Sequence, residues 1–247
     1  MDELFLIGIG TGNPDHLTRQ GEAAIREADA ILIPLKGDKK SDLATLRQDI
    51  CKDILGLDAE KKLIPFDLPR RDTAGDYLQG VDAWHDAIAV AWTDALRGTA
   101  ARRVALLVWG DPSLYDSTLR IAARLAPQPT VRVIPGITAL QALTAAHAIP
   151  LNEINAPVTI TTGRQLRDHG WPAETDTLAV MLDGELGFQT LDPKGLHIWW
   201  GAYLGMPNQI LAAGPLDETA DRIRHLRSKA RAAHGWLMDI YLLKRRD

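Results

Sequence analysis

The run Val104-Ala105-Leu106-Leu107-Val108-Trp109, with the turn after it, most constrains what this chain can fold into. An unbroken apolar run reads as a strand buried on both faces, the signature of a parallel sheet covered by helices on each side. Gly110 and Pro112 stop the strand, and Ser117-Thr118-Leu119-Arg120 opens an apolar-periodic helix. The polar turn Gly110-Asp111-Pro112-Ser113-Leu114-Tyr115-Asp116 therefore lies at the carboxyl end of a parallel strand. Open α/β sheets bind their ligands there.

The same alternation organises the first 150 residues. Strands are predicted at Leu4–Ile7, Ala30–Ile33, Leu63–Ile64 (ending before Pro65), Val104–Trp109 and Val131–Ile134. Helices are predicted from Thr18 to about Ala28, from a cap at Ser41 to about Leu55, from Asp76 to Leu96, from Ser117, and from Thr138 to His147. Five strands alternating with helices predict an α/β fold with a mostly parallel sheet. Between Ile149 and Pro157 the periodicity lapses among prolines and asparagines, so we place a linker there and two domains at 1–151 and 152–247. The second is a smaller α/β unit. Its strands are read at Val158–Thr161, Leu178–Leu182, His197–Trp200, Gln209–Ala212 and Trp236–Leu243, with a basic helix from about Glu218 to Ala233.

Composition excludes several classes of function. The net charge of −4, spread over both halves, argues against nucleic acid held on a basic surface. No apolar run approaches the ~20 residues of a membrane span, and the amino terminus lacks a signal-peptide pattern. The single cysteine, Cys51, falls on the helical pattern Leu43, Leu46, Ile50, Ile54 and reads as a buried structural thiol. A cytoplasmic setting fits this cysteine usage.

Three glycine turns carry the chemistry. In Gly8-Ile9-Gly10-Thr11-Gly12-Asn13-Pro14-Asp15, Asn13 stands where a dinucleotide fingerprint needs its third glycine, and there is no phosphate-loop lysine. This counts against a nicotinamide dehydrogenase or an NTPase. Gly10, Thr11 and Gly12 either make a tight turn or let a ligand approach the backbone. His16 is the one histidine in such a turn. Asp111 reads as a cap for amides of its own turn. Asp116 reads either as a helix cap or as a carboxylate facing substrate. Pro135-Gly136, in Ile134-Pro135-Gly136-Ile137-Thr138, looks like a floor for a flat ligand. Lys36, Lys39, Lys40, Arg70 and Arg71 fall in predicted loops, as solvated surface or as the mouth of a site for a polycarboxylate.

Taken in order, Gly8–Thr18, Gly110–Leu119, Pro135–Ala142 and Thr161-Thr162-Gly163-Arg164 resemble the tetrapyrrole methyltransferase family. Its pattern is G-x-G-x-G-x-x-x-x-L-T, then G-D-P-x-x-Y-G-S-T, then P-G-[I/V]-[S/T]-[S/A]. The chain matches at Gly8, Gly10, Gly12, Leu17, Thr18, Gly110, Asp111, Pro112, Tyr115, Ser117, Thr118, Pro135 and Gly136, and departs at Asp116, where most of the family has glycine.

The resemblance implies two α/β domains with S-adenosylmethionine in the cleft between them. It implies cofactor contacts at Gly110, Asp111, Pro112, Leu114, Ser117 and Thr118, and in the second domain at Met181, Leu182, Tyr203, Ala212 and Ala213. Tyr-Asp-Ser-Thr, with Leu32–Gly37 and Tyr203–Gln209, resembles the deacylating branch. That implies precorrin-5 as substrate, methylation at carbon 1 and loss of a two-carbon acyl group as acetate. Asp116 is then the first candidate for the deacylating base, followed by Asp15, His16 and Tyr115. Substrate contacts are expected at Gly10, Thr11, Gly12, Lys36, Arg70, Arg71, Pro135 and Gly136. Family members are often dimeric, and no stretch here marks an interface. The alternatives are a family methyltransferase for another precorrin, diphthamide or ribosomal RNA, and a non-catalytic module that binds S-adenosylmethionine or a tetrapyrrole.

Overall fold

The structure is a computed structural model that describes residues 1–35, 41–72 and 75–246, with side chains in the second stretch described from residue 43. The chain divides into two compact units, Met1–Thr138 and Ala139–Asp247. The division falls one helix before the linker expected from the sequence.

The first unit holds β1 (Glu3–Gly8), α1 (Arg19–Glu27), β2 (Ala30–Leu35), α2 (Ser41–Leu55), α3 (Ala59–Lys62), β3 (Leu63–Asp67), α4 (Tyr77–Ala95), β4 (Arg103–Val108), α5 (Thr118–Ala122) and β5 (Thr130–Ile134). The five strands form one parallel sheet in the order β3-β2-β4-β1-β5. Helix starts follow the capping chemistry of the sequence. Thr18 Oγ1 accepts from Gly21 N at 3.0 Å, and Asp76 Oδ1 accepts from Gln79 N at 2.9 Å.

Strand alternation sorts the core into two layers. Phe5, Ile7, Ala105 and Leu107 face α1 and α2, through Ile25, Ile50, Cys51 and Ile54. Leu4, Leu6, Val104 and Leu106 face α4 and α5, through Ile88, Trp92 and Ile121. The chain thus leaves β1 through a helix on one face and β4 through a helix on the other. Adjacent strands whose connections part in this way make a topological switch point, and the crevice at their carboxyl ends is the ligand position of such sheets.

Strand boundaries shift at β3, at β9 (read at Gln209–Ala212) and at β10 (read at Trp236–Leu243), and the β3 shift has a clear physical reason. β3 does not stop at Ile64; it runs through Pro65 to Asp67. β3 is an edge strand, so the missing proline N–H removes no ladder bond on its open side.

The second unit holds α6 (Ala139–His147), β6 (Thr159–Thr162), α7 (Gly163–His169), β7 (Thr177–Met181), β8 (Leu196–Ala202), β9 (Ile210–Pro215), α8 (Leu216–His234) and β10 (Asp239–Arg245). Its sheet order is β6-β7-β10-β8-β9, with β6 and β7 parallel and the other pairs antiparallel. The carboxyl ends of β6, β7 and β8 consequently share one end of this sheet. The segment after α6 stays with this unit: Lys244 Nζ on β10 donates to Pro150 O at 3.2 Å and to Glu153 Oε1 at 2.8 Å.

Candidate active site

In the first unit, the turns after β1, β4 and β5 meet at the switch point. Gly10 and Gly110 exchange backbone hydrogen bonds, with Gly110 N donating to Gly10 O at 2.7 Å. A Cβ on Gly8 would lie 2.6 Å from Gly136 N and 2.7 Å from Gly110 O, so only glycine fits where the three strands end. Gly110 also takes φ +62°, which a side chain would strain. These glycines let backbone pack on backbone and leave the sheet end as a shelf of peptide groups.

Asp111 locks that shelf. Its Oδ2 accepts from Gly136 N at 2.9 Å, and its Oδ1 accepts from Ser113 N at 2.8 Å and Ser113 Oγ at 2.5 Å. Burial alone would raise its pKa; the bonds from Ser113 and Gly136 outweigh burial and hold the carboxyl below its ordinary 3.8. The cap read from the sequence is thus also a tie between two turns.

Asp116 Oδ1 accepts from Thr118 N at 2.7 Å and Thr118 Oγ1 at 2.5 Å, which starts α5. Both bonds fall on one oxygen, and an ionised carboxylate keeps acceptor capacity on the other. Beside it, Tyr115 sits at φ +50° and is 43% exposed. A bulky residue in the left-handed region costs of order 1–3 kcal/mol, and such residues cluster at ligand sites.

The first turn is fixed from within. Asn13 Oδ1 accepts from Asp15 N at 3.0 Å, so the residue that breaks the dinucleotide fingerprint caps a short turn at Pro14–His16. Thr11 Oγ1 and His16 Nδ1 lie 3.0 Å apart, while Asp15 is exposed. Arg70 and Arg71 are exposed beyond β3, the edge strand, and Arg71 lies over the Tyr77 ring at 5.0 Å. β2 stands between β3 and β4 in the sheet. Lys36, Lys39 and Lys40 lie outside the described residues.

Sequence patterning does not single out Arg47. It occupies the buried stripe of α2, and its guanidinium reaches the end of β4. Nε donates to Leu107 O at 3.0 Å, Nη1 donates to Leu43 O at 3.2 Å, and the group lies over the Trp109 ring at 5.0 Å. Burial lowers its pKa to about 10 against the opposing charge of Asp116, so it stays charged at neutral pH. The available signal was a cation on the apolar stripe Leu43, Leu46, Ile50, Ile54. Nearby Cys51 is fully buried, and burial pushes its thiol up to about 12, which makes it inert.

In the second unit, Leu182 follows β7 at φ +52° and is 66% exposed. Tyr203 follows β8 at φ +50°, but its side chain is fully buried, with Oη donating to Trp236 O at 2.5 Å. Its backbone is engaged too, with Tyr203 N donating to Met238 O at 3.0 Å and Tyr203 O accepting from Met206 N at 2.9 Å, so the cofactor contact expected at Tyr203 has no exposed surface. Met181 is half-buried, and Ala212 and Ala213 lie within β9, the first buried and the second exposed.

A buried network that the sequence did not reveal holds the β7 end. Asp183 accepts from Gly187 N at 2.5 Å, Glu185 N at 3.0 Å, Tyr241 Oη at 2.6 Å and Arg167 Nη1 at 3.2 Å. Arg227 Nη2 donates to Asp183 O at 2.5 Å and to Asp239 Oδ1 at 3.1 Å. Burial raises the Asp239 carboxyl, and Arg227 opposes that rise.

Similarity to known proteins agrees with this geometry. Residues 3–220 match the family model for Tetrapyrrole (Corrin/Porphyrin) Methylases. The chain is 45% identical to the precorrin-6A synthase [deacetylating] of a Sinorhizobium species, over 99% of this chain and 96% of that protein. It superposes on the crystal structure of a cobalamin synthesis related protein (CobF) from Corynebacterium diphtheriae with a TM-score of 0.83, at 37% identity and with both chains fully covered. The fold also matches uroporphyrin-III C-methyltransferase from Thermus thermophilus, solved with S-adenosylhomocysteine, at a TM-score of 0.58 and 16% identity over 98% of this chain and 97% of that one. No described helix is long and apolar enough to cross a membrane.

Proposed function

Because the chain belongs to the tetrapyrrole (corrin/porphyrin) methylases, we propose that it is the C-methyltransferase that converts precorrin-5 to precorrin-6A. It methylates carbon 1 and releases the acyl group as acetate. The observation that carries this reading is the full-length identity to a deacetylating synthase, together with a carboxylate, Asp116, in the turn where the family pattern has glycine.

The proposed cofactor is S-adenosylmethionine, and the residues present fit it. The turns of Gly10, Gly110 and Gly136 pack backbone on backbone at the switch point, and Tyr115 and Leu182 each present exposed apolar surface from a strained backbone. Gly110, Asp111, Pro112, Leu114, Ser117 and Thr118 would hold it in the first unit. Leu182, Met181, Ala212 and Ala213 would do so in the second. When bound, it supplies a methyl group already activated on a sulfonium. The chain's own task is then placement, and near-attack positioning is worth roughly 7–11 kcal/mol. Asp111 serves it by fixing the turns after β4 and β5 as one rigid piece.

Deacylation asks for more. Asp116 takes a proton from water as the water oxygen attacks the acyl carbonyl. The carbon–carbon bond to the macrocycle breaks, its electron pair returns to the ring, and acetate leaves. Asp15, His16 and Tyr115 line the neighbouring turns as further candidates, and Gly10, Thr11, Gly12, Pro135 and Gly136 face the ring. The soluble cytoplasm is the proposed setting.

Asp116→Asn tests the assignment. Acetate release from precorrin-5 is expected to fall by about 10²–10⁴, the usual worth of a general base. Release at the wild-type rate rules out Asp116 as the base.

A further inference from the structure

The turn after β7 inverts the ordinary rule of burial. Alternation along the strand puts residues 178, 180 and 182 on one face. Leu178 and Val180 accordingly join the core with Leu166 of α7 and Ile223 of α8. Leu182 should follow them. It is turned out instead, 66% exposed, and Asp183 takes the interior at 5% exposure. The positive φ of Leu182, +52°, makes this exchange. An apolar side chain left in water, a bulky residue in the left-handed region and a buried carboxylate each carry a cost. A turn needed only for the fold would have glycine at position 182, which takes that φ without strain.

Such strain persists only where the surroundings over-determine it. Asp183 supplies them. Its carboxylate accepts from Gly187 N at 2.5 Å, Tyr241 Oη at 2.6 Å, Glu185 N at 3.0 Å and Arg167 Nη1 at 3.2 Å. Its carbonyl accepts from Arg227 Nη2 at 2.5 Å. The donors come from α7, α8, β10 and the turn itself. Gly163 belongs to the same device: a Cβ there would run into the Asp183 carboxyl group. The glycine of Thr161-Thr162-Gly163-Arg164 thus admits this side chain. Asp183 is pinned at both carboxylate and carbonyl, and the residue before it is held facing outward.

We propose that Asp183 is a positioning residue for cofactor binding: its buried network turns Leu182 out of the core and holds it as a preformed apolar wall for S-adenosylmethionine on the second unit. The proposal rests on the S-adenosylmethionine reading above. Asp183 does not touch the cofactor; it acts through Leu182.

A double-mutant cycle on binding tests this, with S-adenosylhomocysteine as the probe and titration calorimetry as the readout. The proteins are the wild type, Leu182→Ala, Asp183→Asn and the double variant. Leu182→Ala is expected to weaken binding about tenfold, through lost apolar contact. Asp183→Asn puts an amide NH2 where donors now converge, so the turn loosens and binding is expected to weaken about tenfold as well. The double variant is expected to bind within about twofold of the weaker single variant, because both changes remove the same wall. In methyl transfer to precorrin-5, the loss in kcat/KM for the cofactor in Asp183→Asn is expected to come mainly from KM. Losses that multiply in the double variant overturn the proposal, as does wild-type affinity in Asp183→Asn. Should Asp183→Asn fail to fold, Tyr241→Phe decides, since it removes one donor and leaves the carboxylate. It is expected to weaken binding severalfold in the wild type and not in the Leu182→Ala background, and an equal loss in both overturns the proposal. A wild type that binds no S-adenosylhomocysteine sinks the cofactor reading itself, and is read without any variant.

Discussion

At the scale of single residues, the site is held by small atoms and one carboxylate. Gly136→Ala would drive a methyl group into the backbone of Gly8 and Gly110, which cannot move without parting β1 from its neighbours. Overpacking of this kind costs about 1–3 kcal/mol or more, so the urea midpoint and cofactor binding should fall together. Asp111 makes a prediction with a sign. Its folded pKa lies below its ordinary 3.8, so its stabilising bonds are complete above that value. They are lost as pH falls through the lower folded value. Wild-type stability, read from urea midpoints, should therefore drop on acidification below about pH 4. Asp111→Asn should be less stable at neutral pH and should lose this part of the acid limb. Much of this was legible early, because G-D-P and P-G announce a turn chemistry. That Asp111 ties two turns was not, since Gly136 is remote in sequence and only the sheet order brings it near.

At the scale of elements, the strands of the first unit were readable because buried parallel strands are apolar throughout and their caps are explicit. Pro65 misled at β3: a proline ends a strand in general, but an edge strand tolerates it. Arg47 was hidden for a related reason, since a helical stripe is read by its apolar members. The end of β7 was legible only as a turn, because the groups on Asp183 come from α7, β10 and the loop before β8. Asp183→Ala would leave Arg167 and Tyr241 without this partner in a buried setting. Breaking a buried charged network costs about 3–5 kcal/mol, and the second unit should melt measurably earlier in calorimetry. Asp183→Asn should recover part of that loss, because an amide oxygen still accepts.

At the scale of the whole molecule, two α/β units of different regularity follow from two different sequence textures. The first repeats strand and helix strictly and becomes an all-parallel sheet. The second mixes short strands with one long helix and becomes a mixed sheet. Function was legible from the ordered glycine turns, and its branch from Asp116 within them. The most direct test of the central claim is mass spectrometry of the product formed from precorrin-5 and methyl-labelled S-adenosylmethionine, with acetate assayed in the same reaction. The account predicts one labelled methyl group per macrocycle and one acetate for each. A methylated product that keeps its acyl group, or cofactor binding with no turnover, would contradict it.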